Sequence, residues 1–454
     1  MTPARQMPVF RAAALAALLL GLAGCGSVNE LFKGESDGPP LEGKRETVIV
    51  QTDPLEKDES LAGGAVQIPG AHGNADWAQP GGVPSNAPGH LSAGTSLQKV
   101  WRVNAGSGSS SHGRLTASPI IYQGRIYVLD TRARVSAFNA RSGGKRWSVA
   151  PGPKGESSSS GFGGGLAADG GRLFATTGFG TAVALDPQSG ARVWTKKLSS
   201  PVRAAPAALN GKVYFVTTDN WLFALNASDG EVAWDFRRYA ESAGVLGSPS
   251  PAIAAGKVVA PYSSGEIIAF NAADGKPAWA DSFSRTQRLS PVARLGAISG
   301  RPVIDGNLVF AISHSGRMGA VNLKTGQRVW ARNIGGTETP WVAGNTVFVV
   351  SLQGVVYALT RDNGKVRWYT DLNKKPEGAK KRKSKKSPPS WSGPVLAGGR
   401  LILVSSDGQL AALSPTSGQV IGRRGLGGRY LIPPVVAGGM VYLLSNAAHL
   451  IALR

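Results

Sequence analysis

The 454-residue sequence contains one cysteine, Cys25, so no internal disulfide braces the fold and no vicinal cysteine pair or four-cysteine zinc site exists. Histidine is equally scarce. His72, His90, His112, His314 and His449 show no ligand spacing such as HxxxH, and a loop or core role accounts for His314 and His449. Asp plus Glu number 28 against 50 Lys plus Arg, a formal net charge of +22, which leaves little material for a carboxylate-built metal site. Many of those acids, such as Asp186, Asp229, Asp274 and Asp362, sit in turn sequences. The one sustained apolar run, Ala12 to Leu20, is too short to span a bilayer. Gly161-Phe-Gly-Gly-Gly165 is glycine-rich, but no helix-forming segment follows it, so it lacks the amides and dipole of a phosphate cradle. No Ser-His-Asp arrangement is legible. Composition and motif together argue against an enzyme.

What the sequence has is a repeated phrase: a small-apolar pair, then Asn or Asp, a Gly shortly after, and a Trp four residues beyond. It reads Ala137-Phe138-Asn139…Gly143…Trp147, then Ala184…Gly190…Trp194, Ala224…Gly230…Trp234, Ala269…Gly275…Trp279, Ala320…Gly326…Trp330 and Ala358…Gly364…Trp368. A seventh copy, Ala412…Gly418, has Gly422 in place of Trp, and an eighth stops at Ala452-Leu453. The missing piece lies upstream, in Lys99-Val-Trp101-Arg-Val103. Each phrase follows a β-branched and aromatic strand-like segment, and a third segment is marked by Pro119, Pro206, Pro251, Pro302, Pro340, Pro394 or Pro434. Proline cannot donate to a ladder, so the proline-marked strand belongs at a sheet edge. Four strands in each of eight units of roughly forty-five residues is the period of a β-propeller. The expected fold is therefore all-β: an eight-bladed propeller of four-stranded antiparallel blades over residues 97–454, closed by an N-terminal strand that completes the last blade. In this reading Asn or Asp with Gly makes the tight turn, and each Trp packs across the gap to the next blade rather than forming a ligand ring. The blade-packing residues are Trp101, Trp147, Trp194, Trp234, Trp279, Trp330 and Trp368.

Residues 1–24 carry Arg5 and Arg11, the short apolar run and then Leu22-Ala-Gly-Cys25, the outline of an exported chain's leader. Leu-Ala-Gly-Cys resembles the bacterial lipobox, which implies a lipidated Cys25; an ordinary signal peptide is the alternative. Gly26, rather than Asp, after the cysteine implies by the same resemblance sorting to the outer membrane of a Gram-negative cell. Residues 25–96 are Gly-, Pro- and Ser-rich without hydrophobic periodicity, and read as a lipidated, largely disordered tether. Within it, Trp77-Ala-Gln-Pro-Gly-Gly82 resembles the lead-in of quinoprotein-like propellers and could lie along the disc. A basic run, Lys374-Lys375 and Lys380 to Lys386, falls in a loop insertion spanning 373–390. With nucleic acid out of reach of an exported chain, the readings are contact with anionic lipid or a solvated loop.

The Trp phrase resembles that of the pyrroloquinoline-quinone dehydrogenases, which implies the propeller fold. Those enzymes also hold a Ca²⁺, a catalytic Asp and often a vicinal cysteine pair, for which this chain lacks the cysteines and most of the acids. A membrane-tethered quinone-dependent dehydrogenase remains the alternative reading, and a glycan-binding lipoprotein a third. Lipobox, sorting residue, tether and eight repeats together resemble the BamB family of outer-membrane β-barrel assembly lipoproteins. The resemblance implies a non-enzymatic scaffold without cofactor or metal, on the periplasmic face of the outer membrane, that binds the POTRA repeats of BamA. It further implies a partner-binding surface. Ser200-Pro-Val202-Arg203 matches the family's inter-blade contact loop, with Val202 and Arg203 at the contact positions. Arg294-Leu295 matches a second patch, with Ala297 and Ser299 where the family has acids. These positions are expected on exposed loops of one face.

Overall fold

The structure is a computed structural model that describes residues 55–61, 65–111, 113–152, 163–238, 249–284, 297–374 and 387–454. Cys25, Arg294, Leu295 and the basic run from Lys375 to Lys386 lie outside the described residues; Lys374 is exposed. Among the described residues, thirty-two strands form eight four-stranded antiparallel sheets, and a three-residue 3₁₀ turn at Glu59–Leu61 is the one helical element. Blade one comprises Ile120–Tyr122, Arg125–Leu129, Val135–Asn139 and Lys145–Val149, from the channel outward. Blades two to seven follow in chain order, with inner strands Gly164–Asp169, Ala207–Leu209, Ala252–Ala254, Val303–Asp305, Trp341–Ala343 and Trp391–Ala397. Blade eight is Val435–Ala437, Met440–Leu444, His449–Leu453 and, outermost, Lys99–Asn104 from the front of the chain. Pro119, Pro206, Pro251, Pro302, Pro340 and Pro434 stand immediately ahead of inner strands, where a missing N–H leaves no ladder bond broken.

The repeated phrase is a zipper between neighbouring blades. Each Trp lies opposite the Ala of its own copy: Trp147 pairs with Ala137, Trp234 with Ala224, Trp279 with Ala269, and Trp101 with Ala452. A register shift follows at once, as between Ala137 and Phe138, and bends the strand into its turn. The indole then lies on the turn glycine of the following blade. A Cβ added to Gly190 would stand 2.7 Å from Trp147, one on Gly230 2.6 Å from Trp194, and one on Gly326 2.5 Å from Trp279. These glycines also have φ near +75°, so two requirements coincide on one residue. The indole Nε1–H donates to the carbonyl after the turn Asn or Asp, from Trp194 to Ala227 at 3.0 Å and from Trp279 to Leu323 at 2.7 Å. Trp101 covers Gly143 in the same way, but its Nε1 is buried without a partner among the described residues, and Tyr442 Oη–H donates to the equivalent carbonyl of Ala140 at 3.1 Å. At the seam between blades seven and eight, Gly422 pairs with Ala412 and nothing covers it more closely than that Ala at 4.0 Å. There Arg424 Nη1 donates to Leu97 O at 2.8 Å, and Gln98 and Arg454 exchange backbone hydrogen bonds.

The expectation of a largely disordered tether through residue 96 is corrected for 65–96. Trp77 and Leu91 are buried, and the segment makes a full circuit over one end of the central channel. Asn74 Nδ2 donates to Val436 O in blade eight, and Trp77 exchanges backbone hydrogen bonds with Ile121 in blade one. Ala168 N–H in blade two donates to Ala78 O, and Ala208 N–H in blade three to Gln79 Oε1 at 3.0 Å. Ile253 and Ile304, in blades four and five, donate to Pro84 O and Ser85 O. Trp341 Nε1 of blade six donates to Gly89 O at 2.9 Å, Leu91 N–H to Leu396 O of blade seven, and Gly94 N–H to Gly439 O of blade eight. Most of these contacts fall on the inner strands, whose inward edges would otherwise be unpaired, while blade six contributes an indole and Gly439 lies in the turn after its strand. Glycine and proline suit a chain that must curve through eight sites with no ladder of its own, which is why its composition resembles a linker. Upstream, Asp58 N–H donates to Val366 O and its carboxylate pairs with Lys365 at 3.2 Å.

Candidate functional site

With one end of the channel plugged, the other opens as a funnel of about 790 Å³. Every blade lines it with residues at or just ahead of its inner strand: Ser118, Gly164, Ala205, Ser250, Arg301, Thr339, Ser392 and Pro433 in blade order. In an up-and-down blade the connection from an outer strand to the next inner strand returns on one face, so the described residues just ahead of the inner strands gather around the funnel. Among the described residues, four arginines, Arg114, Arg203, Arg301 and Arg429, and one carboxylate, Glu338, line it.

Arg301 forms the floor. It comes from blade five, and its guanidinium crosses to the diametrically opposed blade one, where Nη2 donates to Ser118 Oγ at 3.2 Å. Nη1 donates to Thr339 Oγ1 at 3.3 Å. Beneath this crossbar a small cavity of about 30 Å³, room for about one water, separates it from Trp77, Pro80 and Asn86 of the plug. Glu338 accepts from Gly393 N–H at 3.3 Å and Ser392 Oγ–H at 3.4 Å. Desolvation in the channel pushes the Glu338 carboxyl up to about 7, against the opposing pull of those bonds and of Arg301. Desolvation likewise pulls Arg301 down to about 10, which leaves it charged at neutral pH. Ser250, 1% exposed, has a buried hydroxyl with no hydrogen-bond partner among the described residues, an unusual state for a polar group in a folded interior.

The two matched contact positions separate. Val202 is fully buried rather than exposed: its N–H donates to Thr177 O, and its side chain joins the core shared by blades two and three with Phe174, Ala204 and Phe215. Pro201 turns the chain inward ahead of it, a long-range packing choice with no local signature. Arg203 is half-buried and lines the funnel, with its carbonyl accepting from Gly164 N–H at 3.2 Å. Arg294 and Leu295 lie outside the described residues, while Ala297 is buried and Ser299 lines the funnel. His314 is half-buried, its imidazole held below the usual range by desolvation. Of the funnel arginines only Arg203 stood out in the sequence; Arg114, Arg301 and Arg429 did not, because they come from separate blades and share one signal, position ahead of an inner strand.

Among the described residues no group of three His, Cys, Asp or Glu side chains is placed to hold a metal ion. The funnel's donor set of arginines, hydroxyls and one carboxylate of raised pKa does not suit the Ca²⁺ of a quinone enzyme, which calls for several anionic or neutral oxygens.

Comparison with known proteins agrees with the geometry. A solved structure of BamB from Moraxella catarrhalis superposes with a TM-score of 0.64 at 20% identity, covering 79% of this chain and 99% of that one. The quinohemoprotein alcohol dehydrogenase of Comamonas testosteroni shares the fold with a TM-score of 0.63 at 13% identity, covering 84% of this chain and 80% of its own. Among curated proteins, the outer membrane protein assembly factor BamB of Moranella endobia (strain PCIT) is 22% identical over 365 residues, 78% of this chain and 90% of that protein. The family model described as outer membrane protein assembly factor BamB matches residues 47–159, 131–370 and 353–454. Spanned almost end to end by that model, the chain belongs to the BamB family of outer membrane protein assembly factors.

Proposed function

We propose that the protein is a non-enzymatic scaffold of the outer-membrane β-barrel assembly complex. It is held by a lipidated Cys25 on the periplasmic face of the outer membrane, and it binds the POTRA repeats of a BamA-type subunit. The observation that carries this reading is the family match from residue 47 to the C-terminal residue. In this reading the partner docks on the funnel face, where Arg203 stands. Arginine suits such a contact because its planar fork pairs with carboxylates and backbone carbonyls. The test is a mild-detergent pull-down from native membranes with the partners identified by mass. Wild-type protein should bring down the barrel subunit, and Arg203→Glu should bring down less at an unchanged melting temperature. Absence of the barrel subunit from the wild-type eluate refutes the proposal.

The dehydrogenase reading is favoured by one observation, the shared fold with the Comamonas enzyme. Incubation with the quinone and Ca²⁺ followed by desalting separates the two readings. Retained absorbance with dye-linked oxidation of alcohols or sugars would establish the enzyme, and the scaffold predicts neither.

A further inference from the structure

We propose that the blind funnel is a binding site for a small multivalent oxyanion, a molecule bearing several carboxylate or phosphate groups, with Arg301 as its floor. Three independent features converge on this site. The first is charge: among the described residues, four arginines on the wall and floor against one carboxylate. The second is shape. The 65–96 circuit closes the far end, so a ligand entering the mouth meets a dead end and shields its contacts from water, and a volume of about 790 Å³ accommodates a small molecule. The third is unspent hydrogen-bonding capacity. Arg301 spends its side-chain hydrogen bonds on two neutral hydroxyls, Thr339 and Ser118, although a guanidinium carries five N–H donors. Ser250, at the wall, keeps a buried hydroxyl with no partner among the described residues. Glu338 acts on Arg301 through space, while the side-chain hydrogen bonds of the guanidinium go to hydroxyls, and a charged acceptor forms stronger hydrogen bonds with it than a hydroxyl does.

Glu338 does not cancel the site. Its two hydrogen bonds hold it against blade seven, at Ser392 and Gly393, leaving the Arg301 face toward the mouth open to a second oxyanion. The inference is separate from the partner reading, since Arg301 lies at the funnel floor rather than on the rim that a docked protein would touch.

The experiment is calorimetric titration of the full-length mature protein with citrate, with inorganic pyrophosphate and with glucose as a neutral probe, at about 0.15 M salt so that diffuse surface attraction is screened. Citrate or pyrophosphate should bind with one site per chain and glucose should not; which anion binds tighter assigns carboxylate or phosphate as the natural group. Arg301→Met should weaken binding at least tenfold, and Arg203→Gln should weaken it by a smaller factor. Lys145→Met, on the exposed outer strand of blade one, should leave it unchanged. If Arg301→Met does not fold, Arg203→Gln and Ser250→Ala carry the test, each expected to weaken binding at an unchanged melting temperature. Failure of both anions to bind, or equal weakening by Lys145→Met and the funnel variants, overturns the proposal.

Discussion

Replacing Trp194 by alanine tests the zipper at a place where every element of it is visible. The side chain is 9% exposed, lies over Gly230 of the next blade, pairs with Ala184 and donates to Ala227 O at 3.0 Å. Removing a buried indole costs about 3–5 kcal/mol. Gly230→Ala alone brings two penalties. A non-glycine residue at φ +77° costs about 1–2 kcal/mol. Forcing a Cβ to 2.6 Å from the Trp194 ring adds the cost of overpacking, about 1–3 kcal/mol. In the Trp194→Ala background the second penalty disappears, because the nearest atoms all belong to the indole ring, and the first remains. The double variant should therefore be more stable than the sum of the singles predicts, by about 1–3 kcal/mol. Urea unfolding followed by tryptophan fluorescence and circular dichroism supplies the four midpoints of the cycle. Losses that add to within about 0.5 kcal/mol, or a cost below about 1 kcal/mol for Trp194→Ala, would mean that the indoles do not couple neighbouring blades.

Three further outcomes are expected. Glu338 holds a proton in the folded state between its ordinary 4.5 and about 7 that the unfolded chain has released, so its ionisation removes stability as pH rises through that window. Glu338→Gln should match wild type at pH 4 and exceed it at pH 8 by at most about 3 kcal/mol; an equal difference at both values in urea titrations contradicts this. Trp101→Phe should cost about 1 kcal/mol less than Trp279→Phe, since the Trp101 Nε1–H has no acceptor to lose; thermal melts that rank the two the other way refute the assignment. Trp77→Ala should loosen the circuit and expose residues 65–96 to limited proteolysis while leaving the strand signal in circular dichroism intact, and a cleavage pattern identical to wild type would show that Trp77 does not anchor it.

The blades were legible because their rules are local. Alternating β-branched segments, a proline that tolerates only an edge, and a phrase whose Asn, Gly and Trp each have one physical task all lie within a dozen residues of one another. Even so, what the phrase does was visible only in part. The Ala is the cross-strand seat of its own Trp, and the Gly is the seat of the previous blade's Trp, a relation between copies that spacing within a copy does not express. The circuit of residues 65–96 was illegible because its partners are up to several hundred residues away, and its Gly and Pro content carries no periodicity. Val202 failed for the same reason, since whether a residue after Pro201 turns in or out depends on blade two, not on its neighbours. The funnel arginines, one each from separate segments, acquire meaning only when the ring brings them face to face.

The circuit over the channel has a thermodynamic consequence. It makes no sheet of its own, so it contributes little until the eight inner edges stand in their final positions; it is in effect a ligand carried on the same chain, selective for the completed ring. Tethering gives such a ligand an effective concentration on the order of millimolar, and binding only the closed form deepens that form's stability by mass action. It is also a gauge of number: partners spaced for eight edges would fall out of register on seven or nine. A chain that began to close with the wrong count of blades would forfeit this last increment, and the N-terminal segment, long before any partner arrives, checks that the disc has been assembled with its full complement.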